Sequence, residues 1–391
     1  MLTTSEAARR LGVKPETLYA YVSRGLLTRH TAPDGRRSLF AHQEIERLAA
    51  RSRGGGRAGA LEVVVDTELT LLDPAGALFY RGHDATVLAR TEVYESVAEL
   101  LWNPKFPLKG SDPSTRDLGW VAARGDFSPA RAADRPADAL RVICALAAAA
   151  DPLRGDLRPA AVHHTARGLI AAFVDGLPRR SARVDDSIAA RLWSRLHDRE
   201  PTPQRLRVMN AALILLADHE LALSALAARV AASAHADPYL VVLAGLATQG
   251  GALHGASGTA VERMFKDIDT VADVPRVIGE RLGDRLPGFG HAVYTDRDPR
   301  ADTLLELIAK ANPRRQDVLN AVLETVGRHD GPFPNIDLAL GAMTDAFGLM
   351  PGSAEAIFAV ARTAGLVAHA LEEYPYRLRF RARAAYVGPK D

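Results

Sequence analysis

The stretch Arg51-Ser-Arg-Gly-Gly-Gly-Arg-Ala-Gly has three consecutive glycines and no apolar periodicity, so it cannot be the interior of a helix or strand. A segment of this composition behaves as a flexible connector, and it divides the chain into a short N-terminal module and a long body. Charge changes across it. Residues 1–60 hold eleven Lys/Arg against five Asp/Glu, a balance of +6, while the whole chain carries +2. The remainder is therefore at −4, the difference between the two. That asymmetry suggests a basic module joined to a mildly acidic body. With 47% apolar and 25% charged residues, the chain has ample material for a large core.

In the N-terminal module, Thr4-Ser-Glu-Ala-Ala-Arg-Arg-Leu-Gly-Val reads as a short hydroxyl-capped helix ending at Gly12. A second helix opens around Pro15 and stops at Gly25. Asp34-Gly35, between segments of extended character from Thr28 to Phe40, signals a hairpin. A third helix is expected from His42 to Ala50. The Leu-Gly-Val turn between the first two helices has helix-turn-helix spacing. The module resembles the winged DNA-binding domains of the MerR and excisionase type. That likeness implies that helix 15–24 enters the major groove and that Arg24, Arg29, Arg36 and Arg37 meet phosphates. The plain alternative is a small helical module that packs on the body or on another protein.

The body opens with Leu61 to Leu72, Asp73-Pro-Ala-Gly and Ala77 to Gly82, which reads as a hairpin and as the body's only β-structure. Thereafter Ala/Leu/Arg-rich segments punctuated by Pro and Gly predict helices at 91–102, 136–150, 157–175, 183–197, 203–217, 219–233, 259–283, 300–311, 313–328, 335–347 and 353–370. The expected fold class is therefore mainly α, often completed by a partner chain. Cys144 lies in an apolar run; it reads as a buried filler before a nucleophile, and one cysteine fits a reducing compartment. The N-terminus lacks the pattern of a secretory signal and no apolar run approaches 18 residues, so a cytoplasmic protein without membrane contact is expected.

Chemistry concentrates between Asp218 and Asp337. Asp218-His-Glu, Gly250-Gly-Ala-Leu-His-Gly, Pro287-Gly-Phe-Gly-His and Pro334-Asn-Ile-Asp each set an ionisable group beside a helix breaker or helix start. One carboxylate base (Asp337) with two imidazoles (His254, His291) suits removal of a carbon-bound proton and stabilisation of the resulting enolate. Arg300, Arg362 and Arg381 suit bidentate capture of a small polycarboxylate, although arginines 377, 379, 381 and 383 also read as a solvated face. A metal site at Asp218, His219 and His254 lacks the close ligand spacing of zinc sites.

Along residues 61–391 the chain resembles the citrate synthase family. The likeness rests on an ordered set: Asp66-Thr-Glu-Leu-Thr-Leu-Leu-Asp, Ala217-Asp-His-Glu-Leu, the His254, His291 and Asp337 segments, Arg362-Thr-Ala-Gly-Leu-Val-Ala-His and Arg381-Ala-Arg-Ala-Ala-Tyr. Behind the helix-turn-helix domain at 1–52 and the linker at 53–60, it implies a large helical domain at 61–217 and 331–391, and a small one at 218–330. It implies condensation of acetyl-CoA with oxaloacetate to citrate and CoA. Asp337 would be the base and His254 the donor to the thioester oxygen. His291 would be the donor to the oxaloacetate carbonyl. His219, Arg300, Arg362 and Arg381 would bind carboxylates, with Arg381 coming from the other subunit of a homodimer. No metal and no cofactor beyond acetyl-CoA as substrate is implied. Two departures stand out. Where the family pattern reads H-G-G-A-N-E this chain has His254-Gly-Ala-Ser-Gly-Thr, and Ala382 replaces the Pro that usually follows the last arginine. Two other functions stay open: a 2-methylcitrate synthase using propionyl-CoA, and a transcription regulator whose body senses CoA esters or dicarboxylates.

Overall fold

The computed structural model describes residues 1–11, 13, 17–18, 21–22, 27–31, 38–41, 44–45, 63–108, 120, 127, 135–255, 257–281, 286–311, 313–328, 331–381 and 388. Met1–Asp66 and Thr67–Asp391 form two compact units.

In the first unit, strand β1 (Leu2–Thr3) leads into helix α1 (Thr4–Leu11), and strands β2 (Arg29–Thr31) and β3 (Ser38–Phe40) complete an antiparallel sheet in the order β1-β3-β2. Thr3 and Glu6 cap α1 reciprocally: the Thr3 amide donates to Glu6 Oε2 at 2.8 Å and the Glu6 amide to Thr3 Oγ1 at 3.4 Å. Ala7, Ala8, Leu18, Leu27, Phe40 and Ile45 bury one small core. Residues 17–18, 21–22 and 44–45 are helical, within the two helices expected there. The Asp34-Gly35 turn lies outside the described residues.

The second unit begins with a three-stranded meander: β4 (Thr70–Asp73), β5 (Ala77–Tyr80) and β6 (His83–Asp84), with Thr70 opposite Tyr80 and Tyr80 opposite His83. The last strand corrects the expectation of a two-stranded hairpin. Helices follow: α2 (Ala85–Thr91), α3 (Tyr94–Trp102), α4 (Pro136–Ala150), α5 (Pro159–Gly176), α6 (Ile188–Leu196), α7 (Pro203–Leu216), α8 (Leu223–Ser233), α9 (Pro238–Gln249), α10 (Ser257–Lys266), α11 (Val274–Gly279), α12 (Pro299–Lys310), α13 (Gln316–Gly327), α14 (Ile336–Phe347) and α15 (Ser353–Glu373).

Expected helices shift by up to three residues at several ends, and three change more. The segment 183–197 is helical only from Ile188, where Ser187 accepts the Ala190 amide. The segment 259–283 is broken, because Thr270 and Asp273 form a capping box that starts a new helical turn before α11. The segment 219–233 is helical only from Leu223, because Glu220 takes a positive φ of 52° and the chain turns there. Helices α2 and α9 were not anticipated; Asp84 and Asp237 cap them, and Pro238 opens α9.

α15 is the axis of the larger core. Among the described residues it is the one helix long and apolar enough to cross a membrane by length and composition alone. Its most apolar window is 94% buried inside the protein, as befits a core helix. Aromatic side chains with polar tips hold it: the Tyr94 hydroxyl donates to the Val360 carbonyl at 3.0 Å and Trp102 Nε1 to that of Ala364 at 2.9 Å. A second apolar cluster gathers Val261, Phe265, Val277, Phe289, Val322 and Leu338 from α10, α11, α13, α14 and the segment before α12. Cys144 is buried, its thiol pushed up to about 12 by burial, so it is a packed side chain rather than a nucleophile.

The turn after α7 meets α15 at Gly365, whose amide donates to the Ala217 carbonyl at 2.9 Å. A β-carbon on Gly365 would stand 2.3 Å from Asp218 Oδ1 and 2.5 Å from the Ala217 oxygen. Gly365→Ala is therefore expected to cost about 1–3 kcal/mol of stability, read as a lower Tm. An unchanged Tm would show that this contact can open without penalty.

Candidate active site

His219, His254, His291, Arg300, Asp337 and Arg362 line one cleft of about 460 Å3, a size suited to a small-molecule site. They come from six places in the second unit. His219 stands in the turn between α7 and α8. Its predecessor Asp218 accepts from the Thr70 hydroxyl at 2.6 Å, and the Glu220 carbonyl after it accepts from His369 Nε2 at 3.1 Å. Arg229 Nε donates to His369 Nδ1 at 2.9 Å, which places the His369 proton on Nε2. His219 Nε2 lies 3.3 Å from the Tyr294 hydroxyl.

The Pro287-to-Val293 and Pro334-to-Asp337 segments are laced together. The Gly290 amide donates to the Phe333 carbonyl at 2.8 Å, the Asn335 amide to the Gly288 carbonyl at 2.9 Å, and Asn335 Nδ2 to the Gly290 carbonyl at 2.8 Å. Gly288 takes φ +83°, and a β-carbon there would stand 2.9 Å from Leu338, so only glycine lets the two strands approach. Asn335 Oδ1 then caps α14 by accepting the Asp337 amide at 2.9 Å, which places the Asp337 carboxylate in the first turn, at the favourable end of the helix dipole. The Ser257 hydroxyl donates to Asp337 Oδ2 at 2.5 Å.

The imidazoles are arranged as donors. His291 Nδ1 accepts the amides of Val293 (3.0 Å) and Tyr294 (3.2 Å), so in the neutral ring the proton sits on Nε2. His254 Nε2 is 2.8 Å from the buried Ser224 hydroxyl. Burial, with the Arg362 charge nearby, pushes the His254 imidazole down to about 4. Burial also holds His219 well below the usual histidine range, aided by Arg300 and Arg362. Both rings are neutral at pH 7.

The arginines differ. Arg300 gives Nε and Nη2 to the buried Asp298 carboxylate at 2.9 and 2.8 Å, and Asp298 also accepts the Ile336 amide at 3.0 Å, tying the starts of α12 and α14. Arg362 is only 1% exposed. Its Nε donates to the Leu216 carbonyl at 2.9 Å and its guanidinium lies over the Phe358 ring, but Nη1 and Nη2 have no hydrogen-bond partner among the described residues. Each such buried donor costs about 1–3 kcal/mol when left unmade, which an anionic ligand would recover. Arg381 is exposed and does not line the cleft of its own chain. On the N-terminal unit Arg29 is exposed on β2, whereas Arg24, Arg36 and Arg37 lie outside the described residues.

Sequence reasoning did not single out Ser224, Ser257, Tyr294, Asp298 or His369. Asp298 had a signal, an Asp immediately before a helix-opening Pro; the others reach the site across the fold. Among the described residues no cluster of His, Cys, Asp and Glu is placed to hold a metal ion. A larger groove of about 730 Å3 runs beside α10, and three of its acids are engaged: Asp345 with Arg315 at 2.6 Å, Glu355 with Arg141 at 2.8 Å, and Glu262 with the amides of Gly352 and Ala354.

A helical body that gathers a carboxylate, neutral imidazoles and a buried arginine in one cleft matches a known class. Residues 60–383 match the family described as citrate synthase, C-terminal domain, and residues 1–53 a helix-turn-helix domain. The chain belongs to the citrate synthase family. It is 31% identical to the citrate synthase of Haloferax volcanii over 84% of this chain and 94% of that one. It is 26% identical to the citrate/2-methylcitrate synthase of Bacillus subtilis, over 84% and 95%. The structure is similar, with a TM-score of 0.69 and 26% identity, to citrate synthase from Thermoplasma acidophilum in ternary complex with carboxymethyl coenzyme A and oxaloacetate, covering 84% of this chain and 95% of that one.

An NMR titration of the His254 ring is expected to have its midpoint near pH 4, against 6.5 for a solvated histidine. Because the folded value is depressed, the unfolded chain takes up this proton first, and the ring's contribution to stability falls as pH drops from 6.5 towards 4. A midpoint near 6.5 would mean that the ring is hydrated.

Proposed function

We propose that the cleft condenses acetyl-CoA with oxaloacetate to give citrate and CoA. The observation that carries this reading is the convergence of Asp337, His254 and His291 in one cleft beside Arg362, a buried cation whose Nη1 and Nη2 have no hydrogen-bond partner among the described residues. Asp337 takes a proton from the acetyl methyl group, and neutral His254 donates a hydrogen bond to the thioester oxygen as the enolate forms. The new carbon nucleophile attacks the ketone of oxaloacetate. His291 Nε2–H donates to that carbonyl oxygen and supplies its proton as the C–C bond closes. Water then cleaves the citryl thioester, with CoA leaving as the thiol. A neutral imidazole suits the enolate step, because it polarises the oxygen without trapping it as a salt.

Arg300, Arg362 and His219 take up the oxaloacetate carboxylates, and a second copy of the chain supplies Arg381 in a homodimer. The small apolar cluster built on α10, α11 and α13, which Leu338 of α14 joins, belongs to the body that closes over the substrates, the expected small domain at 218–330. The reaction draws on no metal or redox group. Propionyl-CoA is the competing acyl donor, since one methylene changes pocket preference by only about 1–3 kcal/mol. The helix-turn-helix match over residues 1–53 supports a further contact with DNA through the N-terminal unit, with Arg29 on its exposed edge.

Thiol release from acetyl-CoA and oxaloacetate is expected, and Asp337→Asn should lower kcat by about 10²–10⁴-fold while oxaloacetate still binds. Binding of both substrates by the unaltered protein without thiol release would overturn the reading. The ratio of turnover on acetyl-CoA and propionyl-CoA decides between citrate and 2-methylcitrate. The full-length protein is expected to retard a fragment of its own upstream DNA at low salt and to lose it as salt rises, with Arg29→Glu weaker. No retardation at any salt would remove the DNA contact.

A further inference from the structure

We infer that Ser257 is a positioning residue that couples the proposed base to the proposed enolate donor. The inference rests on the reading of Asp337 and His254 given above. An ionised carboxylate can only accept, so the 2.5 Å contact is a Ser257 O–H donated to Asp337 Oδ2, in the range of charge-assisted O–H···O bonds. The same residue closes the turn that carries His254: the Ser257 amide donates to the His254 carbonyl at 3.1 Å. One residue therefore grips the loop of His254 with its backbone and the carboxyl of Asp337 with its side chain.

The Asp337 amide goes to Asn335 Oδ1 at 2.9 Å, which sets where the side chain begins. The Ser257 hydroxyl restrains the rotation of the carboxyl group itself. Proton removal from carbon is sensitive to that rotation, because the accepting oxygen must approach along the C–H bond while the thioester oxygen meets His254. The hydroxyl has an opposing effect, since a donor to the charged form makes the carboxylate a weaker base. Orientation is gained at some cost in basicity. Ser257 opens α10, a position where serine commonly serves its own helix; here its hydroxyl reaches a different helix, α14.

The test uses the full-length protein with Ser257→Ala and Ser257→Thr. The Asp337 carboxyl is followed by carbon NMR, assigned by its loss in Asp337→Asn, beside the pH profile of thiol release. Ser257→Ala is expected to raise the carboxyl titration and the acid limb of kcat together by about one pH unit. It should lower kcat at the plateau by about 10- to 100-fold, with the oxaloacetate KM unchanged. Ser257→Thr, which keeps the hydroxyl, should restore both. An unmoved carboxyl titration or an unmoved plateau kcat in Ser257→Ala would overturn the inference, as would a threonine variant as impaired as the alanine one. A titration that shifts as expected in a protein that never releases thiol would overturn the functional reading instead, and would leave the Ser257–Asp337 coupling standing.

Discussion

One face of α15 holds the turn on which the cleft is built. Arg362, Gly365 and His369, three and four residues apart and so in line along the helix, donate in turn to the carbonyls of Leu216, Ala217 and Glu220. Carbonyls at the end of a helix have no partner within it, and here a second helix supplies the donors side by side. The turn is thereby stabilised in a shape that includes a positive φ at Glu220, and His219 is aimed into the cleft. The same row brings the Arg362 guanidinium into the interior with Nη1 and Nη2 unmatched among the described residues.

The opposite wall depends on backbone pairing between two segments distant in sequence. Gly288 and Gly290 let the 287–293 segment lie against 333–337 at hydrogen-bond distance, and Asn335 serves both as a rung of that pairing and as the cap of α14. Asp298 adds a buried anion that binds Arg300 and the first amide of α14. His291, Arg300 and Asp337 are therefore positioned as one piece, and their mutual distances do not rely on side-chain packing alone.

Electrostatics in the cleft follow from burial. Taking imidazoles out of water disfavours their charged form, and the arginines nearby add to that. The outcome is neutral donors beside fixed positive charge. Such a combination can hold an anionic substrate and still stabilise a developing oxyanion by hydrogen bonds rather than by full protonation.

Much of this was legible in the residues. The helical body, the hairpin at Asp73-Pro-Ala-Gly, the caps before Arg300 and Asp337 and the ordered family segments all rest on signals within a few residues of one another, and local signals survive in a one-dimensional reading. The bounds of helices failed where long-range contacts overruled propensity, as at 217–222, where Tyr80, His369 and Gly365 grip the turn. The sequence by itself determined which groups were present: one carboxylate, three imidazoles and the arginines, with Asp337 and Arg300 beside helix starts. Only the tertiary structure decided which of them meet, that His254 and His219 are neutral, that Arg362 is buried, and that a serine holds Asp337. Proximity, burial and hydrogen-bond partnership are properties of packed neighbours, and for these residues the neighbours lie far away along the chain.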